Sequence, residues 1–487
     1  MSYAAAVDHL YALGHELAPA APNVPRRKFD LAHMRVLAKA LSDPQTLFPS
    51  VLIAGTNGKG STAATLASIL TAAGYRTGLY TSPHLIRVNE RIQIDGSQIG
   101  DEDFACLYFQ VDETARRLVE GGDLPNQPSF FEVLTALAFL YFAGNKADTS
   151  NKVNPVDVAI LEVGLGGRLD ATNIVDPLLS IITDIALDHQ DYLGNTIAEI
   201  TREKAGILRP NGTLITLPQH PEANQAIGEA AATLNLRAIS AANFIPHLPP
   251  RSSQVSTSDE GPDESFIPRN HYAVTLNGEP LEIDSPLSGH HQQRNIALAI
   301  AAAIELRNIN GYNLAGKDKA RNYGGYKITN AAIEAGIRNV RWPGRLERLA
   351  FPEGPNLLLD VAHNPAGAWT LRAAIAQLPD SQPRTLLFSC LRDKDLKEIS
   401  QILFPLFDSS GDRPHDHILF APIDNPRAAS LDELRAAARA LDVPAQAAPD
   451  LPAALSLARD LTPANGLIIA TGSVYLVGEV RRLAVRE

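Results

Sequence analysis

Short apolar runs followed by glycine or polar clusters, and then by stretches with apolar residues at helical spacing, recur along this chain. Val51–Ala54, Val156–Leu161, Leu178–Thr183 and Gly212–Leu217 read as buried strands. Gly78–Thr81 reads as a shorter one. Between them the period changes to that of a helix: Ser61–Ala73, Phe104–Val119, and a run opening at Pro128 with Ser129 as cap and Glu132 three places on. Earlier, Ser2 caps a helix with Tyr3, Val7, Leu10 and Tyr11 as its apolar face, and Leu31–Leu41 forms a second, ended by Pro44 and Pro49. Tyr272–Leu276 and Pro280–Ile283 flank Asn277-Gly278, a hairpin signal. Beyond residue 341 the alternation is regular. Strands Leu357–Leu359, Arg384–Ser389, Ile418–Ala421 and Gly466–Thr471 alternate with helices 394–406, 431–441 and 453–461. The pattern predicts an α/β protein with a parallel central sheet in residues 1–340 and a smaller doubly wound sheet in 341–487. Two stretches interrupt it. Residues 246–268 are rich in Pro, Ser and acids, and 307–326 carry several Gly, Lys and Arg; both read as insertions.

Composition narrows the function. The chain has 487 residues, 45% hydrophobic, with a net charge of -11. That acidic balance argues against nucleic acid as partner, since no basic excess exists to meet a phosphate backbone. Cys106 and Cys390 are the only cysteines, so no disulfide framework or thiolate zinc site can form; both are expected as small buried hydrophobes. The first residues lack a basic start and a clean apolar core, so they do not read as a signal peptide. The strongest apolar run, Leu137–Ala143, is far short of a membrane span. A cytoplasmic location is expected.

The chemistry starts at Gly55, Thr56, Asn57, Gly58, Lys59, Gly60, Ser61 and Thr62. A glycine-rich turn between a buried strand and a helix is the context of a phosphate-binding loop. Glycines let N–H groups approach phosphate oxygens, and the helix N-terminus adds partial positive charge. Lys59 is placed to reach terminal phosphates. The loop departs from G-x-x-x-x-G-K-[ST]: Gly55 stands three residues before Gly58, and Gly60 follows the lysine. Glu162 closes a buried strand, where a lone carboxylate is costly without a cation or strong hydrogen bonds; in phosphate-loop proteins such an acid commonly helps to hold Mg²⁺. Other residues have plain readings. Glu132 suits a capping box, Lys204 a solvated helix position, and Asn364-Pro365 a helix cap. His189 alone is more often structural, Arg345 suits a linker, and His363 a turn. Asp360 stands at a strand's carboxyl end, where ligands bind in doubly wound sheets.

Taken together, Gly55–Thr62, the stretches Thr81–Leu85 (TSPHL) and Asn89–Ile92 (NERI), Phe130-Phe131-Glu132, the run from Asp191 to Thr196, Trp342–Arg345, Asp360–Pro365 and Ala470–Val480 resemble the folylpolyglutamate synthase family of the Mur ligase superfamily over nearly the whole chain. The resemblance implies an N-terminal Mur-ligase-type ATPase domain and a Rossmann-like C-terminal domain. It implies ATP bound by the Gly55–Thr62 loop with Asn295, Arg345 and Asp360, His291 and Gln292 lying near, and His363 at the phosphate or catalytic site. Ser82, Glu162 and His189 match metal ligands for two Mg²⁺ ions. Lys204 matches a lysine carbamylated by carbon dioxide, which would make it an anionic ligand; the family also admits a monovalent cation. The implied reaction activates a pterin-bearing carboxylate as an acyl phosphate, which L-glutamate then attacks, with the two domains closing over it. Arg168–Asn173 resembles the type that also makes dihydrofolate from dihydropteroate, which makes Asp170 and Ala171 candidate contacts for that substrate. The implied protein is a monomer with no nucleic-acid or membrane partner. Three rival readings stand: a monofunctional folylpolyglutamate synthase, another Mur-type ligase (disfavoured by Gly60-Ser61, where those carry Thr-Thr), and a nucleotide switch without ligase activity (disfavoured by the presence of Glu162, His189 and Lys204).

Overall fold

The computed structural model describes residues 2–14, 30–145, 154–246, 267–276, 278–309, 312–313, 322–323, 325–351, 354–410 and 413–485. Most of the 246–268 and 307–326 insertions, and Asn277 of the expected turn, lie outside them. The chain divides into two compact units. One comprises Met1–Pro246, Ala273–Asp284 and Gln293–Val340; the other comprises His247–Tyr272, Ser285–Gln292 and Arg341–Glu487. The helix His290–Asn308 therefore carries residues of both.

The first unit is built on an eight-stranded sheet: β1 (Ser50–Ala54), β2 (Thr77–Tyr80), β3 (Ile92–Ile94), β4 (Ser97–Gln98), β5 (Val158–Glu162), β6 (Leu179–Ile182), β7 (Thr213–Thr216) and β8 (Arg237–Ser240), in the order β4-β3-β2-β5-β1-β6-β7-β8. From β2 to β8 the strands are parallel; β3 and β4 add an antiparallel edge. Strand β1 is buried along its length between β5 and β6, as its unbroken apolar run requires. The helix Phe130–Phe142 is buried on nearly every side, with Glu132 in the expected capping box. Its Phe142 meets Phe48 edge-on at 5.9 Å between ring centroids. Strand β8 and the helix Pro221–Thr233 before it carry weak apolar patterns, and the sequence reading did not isolate them. A hairpin of β9 (Asn270–Leu276) and β10 (Glu279–Ser285) and the short pair β11 (Tyr312–Asn313) and β12 (Asn322–Tyr323) stand apart from the sheet.

The second unit holds six strands: β13 (Glu347–Leu349), β14 (Asn356–Leu359), β15 (Arg384–Phe388), β16 (His417–Phe420), β17 (Gln446–Ala447) and β18 (Leu467–Thr471), ordered β13-β14-β18-β15-β16-β17. All pairings are parallel except that of β13. Helices Pro365–Ile375, Leu396–Leu403 and Leu431–Arg439 share a core with Phe388, Phe404 and Phe420. Asn364 caps the first of these helices and Pro365 opens it, as read. Strands β13 and β17 are too short to have been signalled.

Two expectations need correction. Cys106 is exposed, while Cys390 is buried. On the helix Asp101–Glu120, Cys106 falls on the outward face with Glu102, Gln110 and Glu113, and a small apolar residue is tolerated there. The first helix, Tyr3–Ala12, buries Ala6 and Leu10, while Tyr11 is 39% exposed. Among the described residues no helix is long and apolar enough to cross a membrane.

Candidate active site

Parallel strands β5, β1 and β6 end side by side, so Glu162, Gly55 and Thr183 are neighbours at one edge of the sheet. The loop leaves β1 here. Gly55 takes a φ of +155°, and a Cβ on it would lie 1.8 Å from Thr183 Oγ1. Thr183 Oγ1 donates to the Asn57 carbonyl at 2.8 Å. The N–H groups of Thr56 and Asn57 both donate to the Asp184 carbonyl, at 2.8 and 3.2 Å. Thr56 Oγ1 donates to Ala186 O and accepts from Ala186 N. Arg294 Nε, on the helix His290–Asn308, reaches both oxygens of Asp184 at 3.1 and 3.0 Å. The first half of the loop is thus fastened to 183–186, and the N–H groups of Thr56 and Asn57 are used inside the protein.

The second half differs. The helix starts at Lys59, two residues earlier than expected, with Gly58 as a left-handed N-cap at φ +85° that supplies no side-chain cap. The first-turn N–H groups point out of the helix end and have no intrahelical acceptors. An anion is the natural partner there. Asn295 packs on this turn: a Cβ on Gly58 would lie 2.2 Å from Asn295 Oδ1, so this candidate sits at the loop. Ser61 is buried, and the Thr62 hydroxyl is buried with no hydrogen-bond partner among the described residues. Lys59 Nζ lies 3.3 Å from the Thr56 carbonyl at the loop's start.

Lys204 is not solvated. It is 5% exposed, on the helix Ile197–Ala205, and its Nζ donates to the Gly55 carbonyl at 2.7 Å. Burial first, and then the charge of Lys59, push its pKa down to about 7, against the pull of Asp188 and Asp170. This amine is half neutral near pH 7 and nucleophilic. The glycine loop after β5 holds its helix in place. A Cβ on Gly167 would meet the Lys204 and Glu203 carbonyls at 2.8 and 2.9 Å. Arg168 N donates to Glu203 O at 2.8 Å, and Asn173 Nδ2 donates to Gly206 O at 3.0 Å.

Asp170 organises that same loop. Its carboxylate accepts from the N–H groups of Gly164, Leu165 and Thr172 and from the Thr172 hydroxyl. Burial raises its pKa, and these four hydrogen bonds oppose the rise. Ala171, beside it, is 6% exposed.

Glu162 is 4% exposed and accepts from Ser82 N at 3.0 Å. This carboxylate and the Ser82 hydroxyl are hard oxygen donors. They suit Mg²⁺, which keeps several waters and takes substrate phosphate oxygens, so two protein ligands suffice. His189 stands further along the segment that fastens the loop, in a left-handed conformation at φ +50°, with Asp188 3.9 Å from its Nε2. Among the described residues no three or more His, Cys, Asp and Glu converge as a metal cage.

The second unit carries its own cluster. Asp360, beyond β14, accepts from Leu346 N at 2.9 Å and Ala362 N at 3.0 Å. Burial raises its pKa, opposed first by Arg345 and then by those two N–H groups. Arg345 lies between Gly344 at φ +72° and Leu346 at φ +49°, the latter a strained value for a branched residue. Glu347 steadies the turn by accepting from Gly344 N at 2.9 Å and from Arg481 Nε at 3.0 Å. His291 belongs to this cluster: burial, then Arg345, push its pKa down to about 4. Gln292 is buried beside it. His363 Nδ1 is 2.8 Å from Val361 O and so donates to it. Sequence reasoning missed Thr183, Asp184 and Arg294 as supports of the loop; their only local signal was a strand end and a polar helix start.

Residues 144–303 match the Mur ligase middle domain, and 344–474 match the Mur ligase glutamate ligase domain. The dihydrofolate synthase/folylpolyglutamate synthase of Bacillus subtilis is 33% identical over 93% of this chain and 94% of its own length. Its namesake from Mycobacterium tuberculosis is 33% identical over 95% and 92%. Among solved structures, folylpolyglutamate synthase of M. tuberculosis complexed with ADP and AMPPCP superposes with a TM-score of 0.76, at 29% identity, over 100% of this chain and 99% of that one. Escherichia coli FolC in complex with DHPP and ADP gives 0.73 at 27% identity, over 100% and 99%. With Mur ligase models matching both of its units and relatives of this identity along nearly its full length, the chain belongs to the dihydrofolate synthase/folylpolyglutamate synthase family of Mur ligases.

Proposed function

We propose that this protein is an ATP-dependent amide ligase that joins L-glutamate to dihydropteroate and to reduced folates, releasing ADP and phosphate. The observation that carries the reading is the junction of phosphate loop and buried amine: Lys204 Nζ on the Gly55 carbonyl, behind a helix N-terminus that has no side-chain cap. Family membership supplies the substrate class.

In this reading the first-turn N–H groups and Lys59 hold the β- and γ-phosphates, with Asn295 fixing the Gly58 turn. The substrate carboxylate attacks the γ-phosphorus, the bond to the β-phosphate oxygen breaks, and ADP leaves. Glutamate's amine then attacks the acyl carbon, phosphate departs, and the ammonium proton is lost. Lys59 offsets the charge that builds on the transferred group. Arg345, Asp360 and His363 are assigned to the nucleotide and its phosphates, and Asp170 and Ala171 to the pterin substrate. Ser82 and Glu162 would hold one Mg²⁺, which when bound neutralises charge on the phosphate oxygens. His189 and a carbamylated Lys204 would hold a second. The carbamate forms when the neutral Nζ attacks carbon dioxide and releases one proton.

Hydroxylamine tests the order of steps. With ATP, Mg²⁺ and the folate acceptor but no glutamate, it should capture the acyl phosphate as a hydroxamate in step with ADP release. ADP release without hydroxamate would remove the acyl phosphate. Lys204→Ala should lose most turnover; near-normal turnover would remove the carbamate.

A further inference from the structure

We propose that Glu90, together with the His84–Arg91 pair, is the positioning device for the segment that carries Ser82. This rests on the reading of Ser82 as a ligand of the Mg²⁺ site. The segment leaves β2 and returns as β3, with Thr81 N donating to Arg91 O at 3.0 Å to close its base. The Glu90 carboxylate accepts three consecutive N–H groups: Leu85 at 2.7 Å, Ile86 at 3.0 Å and Arg87 at 2.8 Å. Three donors on one carboxylate turn an irregular excursion into a fixed one.

Arg91 completes the frame. It is 3% exposed, its guanidinium lies 5.3 Å from the Phe130 ring centroid, and its Nε donates to His84 Nδ1 at 2.9 Å. A guanidinium only donates, so Nδ1 is the acceptor and the ring proton sits on Nε2. That proton points to Tyr11 Oη, 3.1 Å away on the first helix. The same helix holds the far side of the segment: Tyr3 donates to Asn89 Oδ1, and the Arg87 guanidinium lies 5.1 Å from the Tyr3 ring centroid. Ser82, whose N–H donates to Glu162, lies between the Thr81–Arg91 bond and the contacts that begin at His84. The NERI residues thus act through the segment, not on substrate.

The test measures Mn²⁺ affinity by electron paramagnetic resonance with AMPPCP bound, and AMPPCP affinity without metal, on the full chain. Ser82→Ala, Glu90→Gln and His84→Leu should each weaken Mn²⁺ about tenfold, the scale of supporting contacts around metal ligands, while metal-free AMPPCP stays within about twofold. His84→Asn places an amide oxygen where Nδ1 accepts from Arg91 and should restore most of the affinity. A loss with Ser82→Ala but not with Glu90→Gln or His84→Leu overturns the positioning role and leaves Ser82 standing. No loss with Ser82→Ala overturns the reading of Ser82 and the proposal with it. Equal losses of Mn²⁺ and metal-free AMPPCP, or no recovery with His84→Asn, reduce the frame to general stability and overturn it.

Discussion

Lys204 shows how far one side chain's behaviour depends on what surrounds it. Its folded-state pKa of about 7 lies below that of an exposed lysine, so the folded protein releases this proton while the unfolded chain still holds it. Unfolding free energy therefore gains from Lys204 as pH rises from about 7 to about 10, and burial of the charged form penalises the fold below that window. Compared with Lys204→Met, the wild type should be less stable at pH 6.5, with the gap in urea midpoint narrowing toward pH 9.5. A constant gap would place the amine in solvent. The carbamate depends on the same neutral amine: in buffer stripped of carbon dioxide, turnover should fall and bicarbonate should restore it, more fully at pH 8 than at pH 6.5. Asp170 makes a second residue-scale case. Four donors converge on its carboxylate, and Asp170→Asn turns an NH₂ toward some of them. The expected cost is about 2–3 kcal/mol in urea unfolding. The same variant should also raise the KM for dihydropteroate, as the proposed substrate contact requires; an unchanged KM would leave Asp170 with the loop alone.

At the scale of elements, the phosphate loop is two half-loops with different partners. Gly58 marks the join, because its φ of +85° and the closeness of Asn295 leave no room for a Cβ. Gly58→Ala should raise the Kd for MgADP by at least about tenfold, from left-handed strain together with displacement of Asn295; an unchanged Kd by calorimetry would free this turn from the nucleotide. The strand–loop–helix order and Glu162 at its strand end were legible because an unbroken apolar run has few alternatives in an α/β chain. The burial of Lys204 was not. On its own helix it occupies an ordinary position, and its surroundings come from residues distant in sequence: the Gly55 carbonyl that its Nζ reaches, and Gly167, Arg168 and Asn173 docked against its helix. The resemblance pointed to Lys204; the periodicity did not. Thr183, Asp184 and Arg294 escaped notice for the same reason, since Arg294 meets Asp184 across 110 positions. For Cys106 the helical spacing with Glu102, Gln110 and Glu113, which places it on the outward face, says more than its residue type does.

At the scale of the molecule, the residues proposed for the chemistry are divided between the two units. The first holds the phosphate loop, Glu162 and Lys204, and the second holds Arg345, Asp360 and His363. The alternation of strands and helices beyond residue 341 was readable, whereas the second unit's claim on Ser285–Gln292 was not, since those residues open a helix that continues into the first. Family and reaction class rest on the whole length of the chain, but acceptor choice rests on the short run Arg168–Asn173, which in the fold also braces the Lys204 helix. The decisive measurement is therefore ADP release with Mg²⁺, ATP and L-glutamate, run separately with dihydropteroate and with a reduced folate. Glutamate-dependent release is expected with both. Release with the reduced folate alone would make this a folylpolyglutamate synthase and withdraw Asp170 and Ala171 as dihydropteroate contacts; release with neither, from protein that still binds ATP, would contradict the ligase reading.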